Sequence, residues 1–164
     1  MKTLLILRHA KSNWSNSSLS DHSRPLDERG KADAPRMGKL LKREELMPDL
    51  IISSSAERAL ATAEAVALAC DYDAEIQVTR QLYLADPDDF LEALRERGGS
   101  HNRVMVVGHN PGIEELVAQL AQQFETMSTA ALAQIDLPIT DWRELNDETV
   151  GTLINVWRPK EVDG

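Results

Sequence analysis

A single cysteine, Cys70, stands in 164 residues. That rules out an intrachain disulfide and a cysteine-built zinc site, and leaves a small buried residue on a helix as the expected reading. Aromatic residues make up only 4% of the chain against 42% apolar overall, so leucine, valine, isoleucine and alanine must fill the core. No apolar run approaches the length of a membrane span. The run after Lys2 is interrupted by Arg8, too early for a secretory leader with a cleavage site. The expectation is a soluble, cytoplasmic chain with no membrane partner. Positive charge is scarce: 18 Lys and Arg face 27 Asp and Glu, a net charge of −9. A general nucleic-acid binder needs a basic face and is excluded on that ground. An anionic ligand must instead be caught by a local basic pocket, against the overall field. The acidic pairs Glu44-Glu45, Asp88-Asp89 and Glu114-Glu115 read as solvated helix faces and lack the clustered spacing of a metal site.

What is present is the patterning of one globular domain, residues 1–164, long enough for a real core. Apolar runs predict strands at 4–7, 50–53, 75–79 and 103–108, with two more at about 131–137 and 149–157. Between them, helices are expected at about 28–43, 56–69 and 88–97, and from Pro111-Gly112 to about Phe124. Pro35 falls inside the first of these and predicts a kink or a later start. Ser54 or Ser55 can cap the second, and Pro87 after Asp86 opens the third. A polar loop, 12–24, is long enough to be functional rather than a connector. Alternating strands and helices indicate an α/β fold, a mainly parallel sheet covered on both faces. The two late strands lack a helix between them and are expected to pair as an antiparallel edge.

In open parallel sheets ligands bind at the carboxyl ends of strands, and the exits of three strands carry chemistry. The first delivers Arg8 and His9, the second leads through Ser53-Ser54-Ser55 to Arg58, and the fourth delivers His109. Two guanidiniums can grip nonbridging phosphate oxygens through forked hydrogen bonds. One imidazole can attack phosphorus while the other stabilises the developing charge. Lys11, Ser12 and Ser15, just after His9, can donate to phosphate or line the approach. Arg24 and Arg29 read as structural or peripheral, His22 and His101 as exposed, Trp14 as a rim residue, and Trp142 and Trp157 as packing.

The segment Leu7-Arg8-His9-Ala10-Lys11-Ser12 resembles the Arg-His signature of the histidine phosphatase superfamily, relatives of cofactor-dependent phosphoglycerate mutase. Ser53 to Ala63, containing Arg58, looks like that superfamily's second-arginine segment, and Gly108-His109-Asn110-Pro111-Gly112 is similar to its second-histidine turn. Order, spacing and short length match the SixA-type phosphohistidine phosphatases best, as do Arg24-Pro25-Leu26 and Arg29-Gly30. The resemblance implies a phosphoglycerate mutase-like three-layer α/β/α sandwich with no large cap domain. It implies His9 as the phosphorylated nucleophile, Arg8 and Arg58 as phosphate ligands, His109 as the second histidine at phosphorus, and no metal or other cofactor.

One departure stands out. Larger members carry a glutamate general acid in a Leu-x-Glu setting, where this chain has Leu82-Tyr83-Leu84. Asp86, Tyr83 and, on the long loop, Asp21 are the candidate replacements. An alkoxide leaving group needs a proton from a positioned acid, worth about 10²–10⁴-fold, whereas phosphohistidine leaves as imidazole. The expectation is therefore a metal-independent phosphatase working through phospho-His9 on protein phosphohistidine, such as a phosphotransfer domain. The alternatives are a phosphatase of a small phosphomonoester and a catalytically weak phosphoprotein-binding module. The sequence leaves the oligomeric state open, a monomer being compatible with it.

Overall fold

A computed structural model describes residues 1–162. The first apolar run forms β1 (Lys2–Arg8), and Leu4, Leu5, Ile6 and Leu7 are fully buried. After the long loop come α1 (Glu28–Arg43), β2 (Leu50–Ser54), α2 (Glu57–Ala69), β3 (Ile76–Thr79), α3 (Pro87–Arg97), β4 (Arg103–Gly108), α4 (Gly112–Ala121), β5 (Leu132–Leu137) and β6 (Thr152–Trp157). The strands form one six-stranded sheet in the order β3-β2-β4-β1-β5-β6. The pairs β1–β4, β2–β4 and β2–β3 are parallel. The reversed strand is β5, antiparallel to both β1 and β6, so it lies one place in from the edge and β6 returns to the common direction.

Side chains alternate across the sheet and split the core in two. Leu4, Ile6, Ile52, Val104 and Val106 pack with α3 and α4, whereas Leu5, Leu7, Ile51, Met105 and Val107 pack with α1 and α2. Two helices on each face give the three-layer α/β/α sandwich expected, and no cap domain covers it. Among the described residues no helix is long and apolar enough to cross a membrane. Cys70 is buried at the C-cap of α2, Trp142 is fully buried, and Trp157 packs partly buried on the second core.

Three local expectations are corrected. Helix α1 starts at Glu28, capped by the Asp27 carboxylate on the Gly30 amide at 2.8 Å, and runs on through Pro35 to Arg43. The cap of α2 is Ala56, with no side-chain bond; Ser54 Oγ, bonded to His109, reaches only the Ala56 amide at 3.2 Å, and Ser55 Oγ is bonded to His22. Helix α4 stops at Ala121, where Gln122 turns left-handed at φ 56°, and leaves Phe124 exposed beyond it.

Candidate active site

Strand register decides the geometry. Arg8 lies opposite Gly108 in the β1–β4 ladder, and the His9 amide extends it by donating to the Gly108 carbonyl at 3.0 Å. His9 and His109 therefore leave neighbouring strands at the same level, and their ring centroids are 5.1 Å apart. On the other side of β4, Ser53 pairs with Val107, which brings Ser54 level with Gly108, one residue before His109. Helix α4 follows at once because Gly112 allows it: a Cβ there would overlap the Ala85 carbonyl.

Hydrogen bonding selects one tautomer of each imidazole. His9 Nδ1 faces the Ala10 carbonyl at 2.7 Å. A carbonyl only accepts, so Nδ1 carries the proton and Nε2 presents its lone pair. His109 Nδ1 lies 3.2 Å from an Arg58 Nη2 that can only donate, so Nδ1 accepts and Nε2 donates to Ser54 Oγ at 2.8 Å. Both rings are buried, and desolvation is the largest cause lowering each pKa. Arg58, Arg8 and Arg24 push His9 further down, to about 4. For His109 the neighbouring His9, Arg58 and Arg8 add to desolvation and bring it to about 3. Both rings are thus neutral at neutral pH, as a nucleophile requires.

The two arginines are cations held at one end, Arg58 buried and Arg8 half-buried. Arg8 Nη1 donates to the Met127 carbonyl at 3.0 Å, and burial lowers its pKa most. Arg58 donates to the Asp21 backbone carbonyl at 2.7 Å and to its carboxylate at 3.0 Å. The Nε of each is buried without a partner. Arg8, His9, Arg58 and His109 line one cavity of about 480 Å³. Lys11 and Ser12 line it too, with Ser12 Oγ accepting from Arg24 at 2.7 Å. Ser15 does not: it is exposed and bonded to Asn13 Oδ1.

The proposed proton donors fare differently from what the sequence suggests. Asp86 is consumed as the N-cap of α3 in a capping box with Asp89 and does not line the cavity. Asp21 accepts from Tyr83 Oη at 2.5 Å, from Arg24 at 3.0 Å and from Arg58. The Tyr83 bond chiefly, then the two guanidiniums, hold its carboxyl well below the usual range, so it is ionised and has no proton to give. Tyr83 is tied to that carboxylate, and burial and Asp21 together raise its pKa. Its ring stands edge-on to His109 at 5.5 Å and to His22 at 4.8 Å. His22 is half-buried and bonded to Ser55 Oγ at 2.8 Å. Asp21 thus positions Arg58, Arg24 and Tyr83 together.

Trp14 is exposed at the cavity rim under the Arg24 guanidinium, 3.3 Å from the ring centroid. Sequence reasoning missed Leu84, Asn110, Ser128, Thr129 and Lys160, which complete the lining. Asn110, inside the quoted Gly-His-Asn-Pro turn, was open to inference; Ser128, Thr129 and Lys160 carried no local signal. Among the described residues no carboxylate is in that lining. A concave set of fixed cations around two neutral imidazoles can bind a phosphoryl dianion and offer it an in-line nucleophile.

The profile of the histidine phosphatase superfamily (branch 1) matches residues 4–83. An uncharacterized chloroplastic protein of Arabidopsis thaliana is 30% identical over 152 residues, 87% of this chain and 70% of that protein. SixA from Agrobacterium tumefaciens superposes with a TM-score of 0.82 at 27% identity, covering 96% of this chain and 98% of that one. The protein histidine phosphatase SixA complexed with tungstate superposes with a TM-score of 0.79 at 25% identity, over 96% and 97% of the two chains. With two histidines and two arginines at adjoining strand exits, and with these relatives, the chain belongs to the histidine phosphatase superfamily.

Proposed function

We propose that this chain is a phosphatase that works through a phosphohistidine on His9 and acts on phosphohistidine carried by a protein. The observation that carries the reading is the pair of neutral imidazoles on neighbouring strands, with His9 Nε2 unprotonated. In the first step Nε2 of His9 bonds to phosphorus as the bond from phosphorus to the leaving atom breaks. Arg8 and Arg58 hold the equatorial oxygens, and His109 Nδ1 accepts from Arg58 and orients it. In the second, water attacks the same phosphorus, inorganic phosphate leaves, and His9 recovers its lone pair.

The leaving group follows from what surrounds it. Among the described residues no carboxylate lines the cavity, Asp21 is ionised, and both histidines are neutral. An alkoxide would have to depart without a positioned proton. A phosphohistidine whose second ring nitrogen is protonated departs as neutral imidazole and needs none. The SixA likeness supports the same choice.

The test adds a phosphohistidine protein labelled in its phosphoryl group and quenches rapidly into alkali, where a P–N bond survives. Label on His9 in the wild type and none in His9→Ala is the expected result; equal turnover by the variant overturns the nucleophile. Parallel rates on alkyl phosphates decide the substrate, and faster turnover of those would favour a small phosphomonoester. Binding without release of phosphate would make the chain a phosphoprotein-binding module.

A further inference from the structure

The cavity holds more positive charge than one phosphoryl group requires. Arg8 and Arg58 serve the floor, and Arg24 is neutralised by Asp21. Lys11, Arg29 and Lys160 remain, all exposed and all lining the same cavity. On a chain of net charge −9, three more cations around one opening with no carboxylate of the described residues in its lining is a concentration against the overall field. We propose that Lys11, Arg29 and Lys160 form an outer subsite for a second anionic group, a carboxylate or phosphate, on the same substrate molecule that brings its phosphoryl group to His9. This rests on the phosphatase reading above and narrows its substrate to molecules carrying two separated anions.

The three residues come from distant parts of the chain and are fastened together. Lys11 follows β1, Arg29 is in the first turn of α1, and Lys160 is in the closing 3-10 turn, Pro159–Glu161. Gly30 presses α1 directly onto the Lys11 backbone, where any Cβ would overlap the Lys11 carbonyl, and the Asp27 amide donates to that same carbonyl at 3.0 Å. At the other end, Arg36 Nη1 of α1 donates to the Pro159 carbonyl at 3.4 Å and ties the last turn to the same helix. Helix α1 is thus the frame of the rim.

The charges are also left available. Arg29 meets the buried Asp33 through Nε at 3.5 Å, and Arg36 shares that carboxylate at 3.6 Å, which leaves the forked Nη pair of Arg29 unspent. Among the described residues neither Lys11 nor Lys160 has a carboxylate within salt-bridge distance. Glu161, beside Lys160, turns to Arg158 at 3.7 Å. A cavity of about 480 Å³ exceeds what a single phosphoryl group fills and lies within the range of small-ligand sites. The second anion can belong to a small phosphoester or to an acidic side chain flanking a phosphohistidine. The chemistry that the rim reads is the same.

The test is binding of phenylphosphonate and of 3-carboxyphenylphosphonate, by calorimetry at low salt, to the wild type and to Arg29→Gln/Lys160→Gln. Neither probe can be turned over. The carboxylate is expected to tighten binding about tenfold in the wild type, the order that several partly exposed charge contacts supply together, and this advantage should shrink to about twofold or less in the variant. Equal affinities for the two probes in the wild type, or an advantage that survives intact in the variant, overturns the outer subsite. Circular dichroism of the variant separates loss of the subsite from loss of the fold. Phosphohistidine peptides with flanking Glu or Gln distinguish the sources: a Glu preference abolished by the variant assigns the second anion to a protein, and none assigns it to a small molecule. If both phosphonates bind as expected but His9 never takes up phosphate from any ester or phosphohistidine, the phosphatase reading fails while the subsite stands.

Discussion

Neutral, buried histidines make this protein's stability depend on pH in a window that lies mostly above the carboxylate range. His9 has a pKa of about 4 in the folded chain against 6.5 for the ordinary residue. Between those values the unfolded chain binds a proton that the folded chain refuses, so stability rises with pH and is lost as pH falls. From pH 7 to pH 4.5 that difference costs about 2 kcal/mol for His9 alone, and His109, held to about 3, adds a similar loss. Asp21 acts in the same direction but below the usual carboxylate range, at pH values under about 4, and does not contaminate the window. The assay is urea unfolding at half-unit steps of pH on the wild type and on His9→Asn. The wild type should lose about 4–5 kcal/mol across the window and the variant about half of that. Equal losses in the two proteins would refute the burial argument, as would a His9 ring that NMR finds half-protonated near pH 6.5.

Three further outcomes follow from the site. Ser54→Ala removes the side-chain partner of His109 Nε2; kcat should fall about tenfold, the scale of a lost buried hydrogen bond, with KM moved less. Tyr83→Phe and Asp21→Asn should each cost less than about tenfold on a phosphohistidine protein, whereas a true proton donor would cost about 10² or more; steady-state rates decide it. Arg58→Lys keeps the charge but loses the fork that serves Asp21 and His109 together, and kcat/KM should drop about 10²-fold, measured with the same substrate.

Strands β1 and β4 were plain in the sequence because their apolar runs are buried on both faces, and their exits carried Arg8, His9 and His109 into view. The cap of α2 misled because Ser54 and Ser55, ordinary capping residues, are claimed by histidines from other elements. Asp21 stood among three candidate proton donors because the partners that enforce its ionisation, Tyr83, Arg24 and Arg58, are assembled only by the folded chain. Lys160 was invisible for a similar reason. It lies near the end of the chain and reaches the cavity only because Arg36 pins the last turn to α1. Local pattern thus revealed what strands deliver, and failed where a role is created by tertiary neighbours.

The in-register pairing of β1 and β4 has an evolutionary consequence. The spacing of the two histidines is set by the interstrand repeat of the sheet, about 4.8 Å, and by no loop. Segments around the opening can be lengthened, shortened or exchanged without disturbing the reacting pair. A chain of this kind can trade one clientele for another by remodelling residues 13–20 and its last turn, with Ala10, Asp21 and the chemistry they support carried through unchanged. Grafting that loop from a relative of different preference should transfer selectivity while leaving single-turnover phosphorylation of His9 within about tenfold of its starting rate.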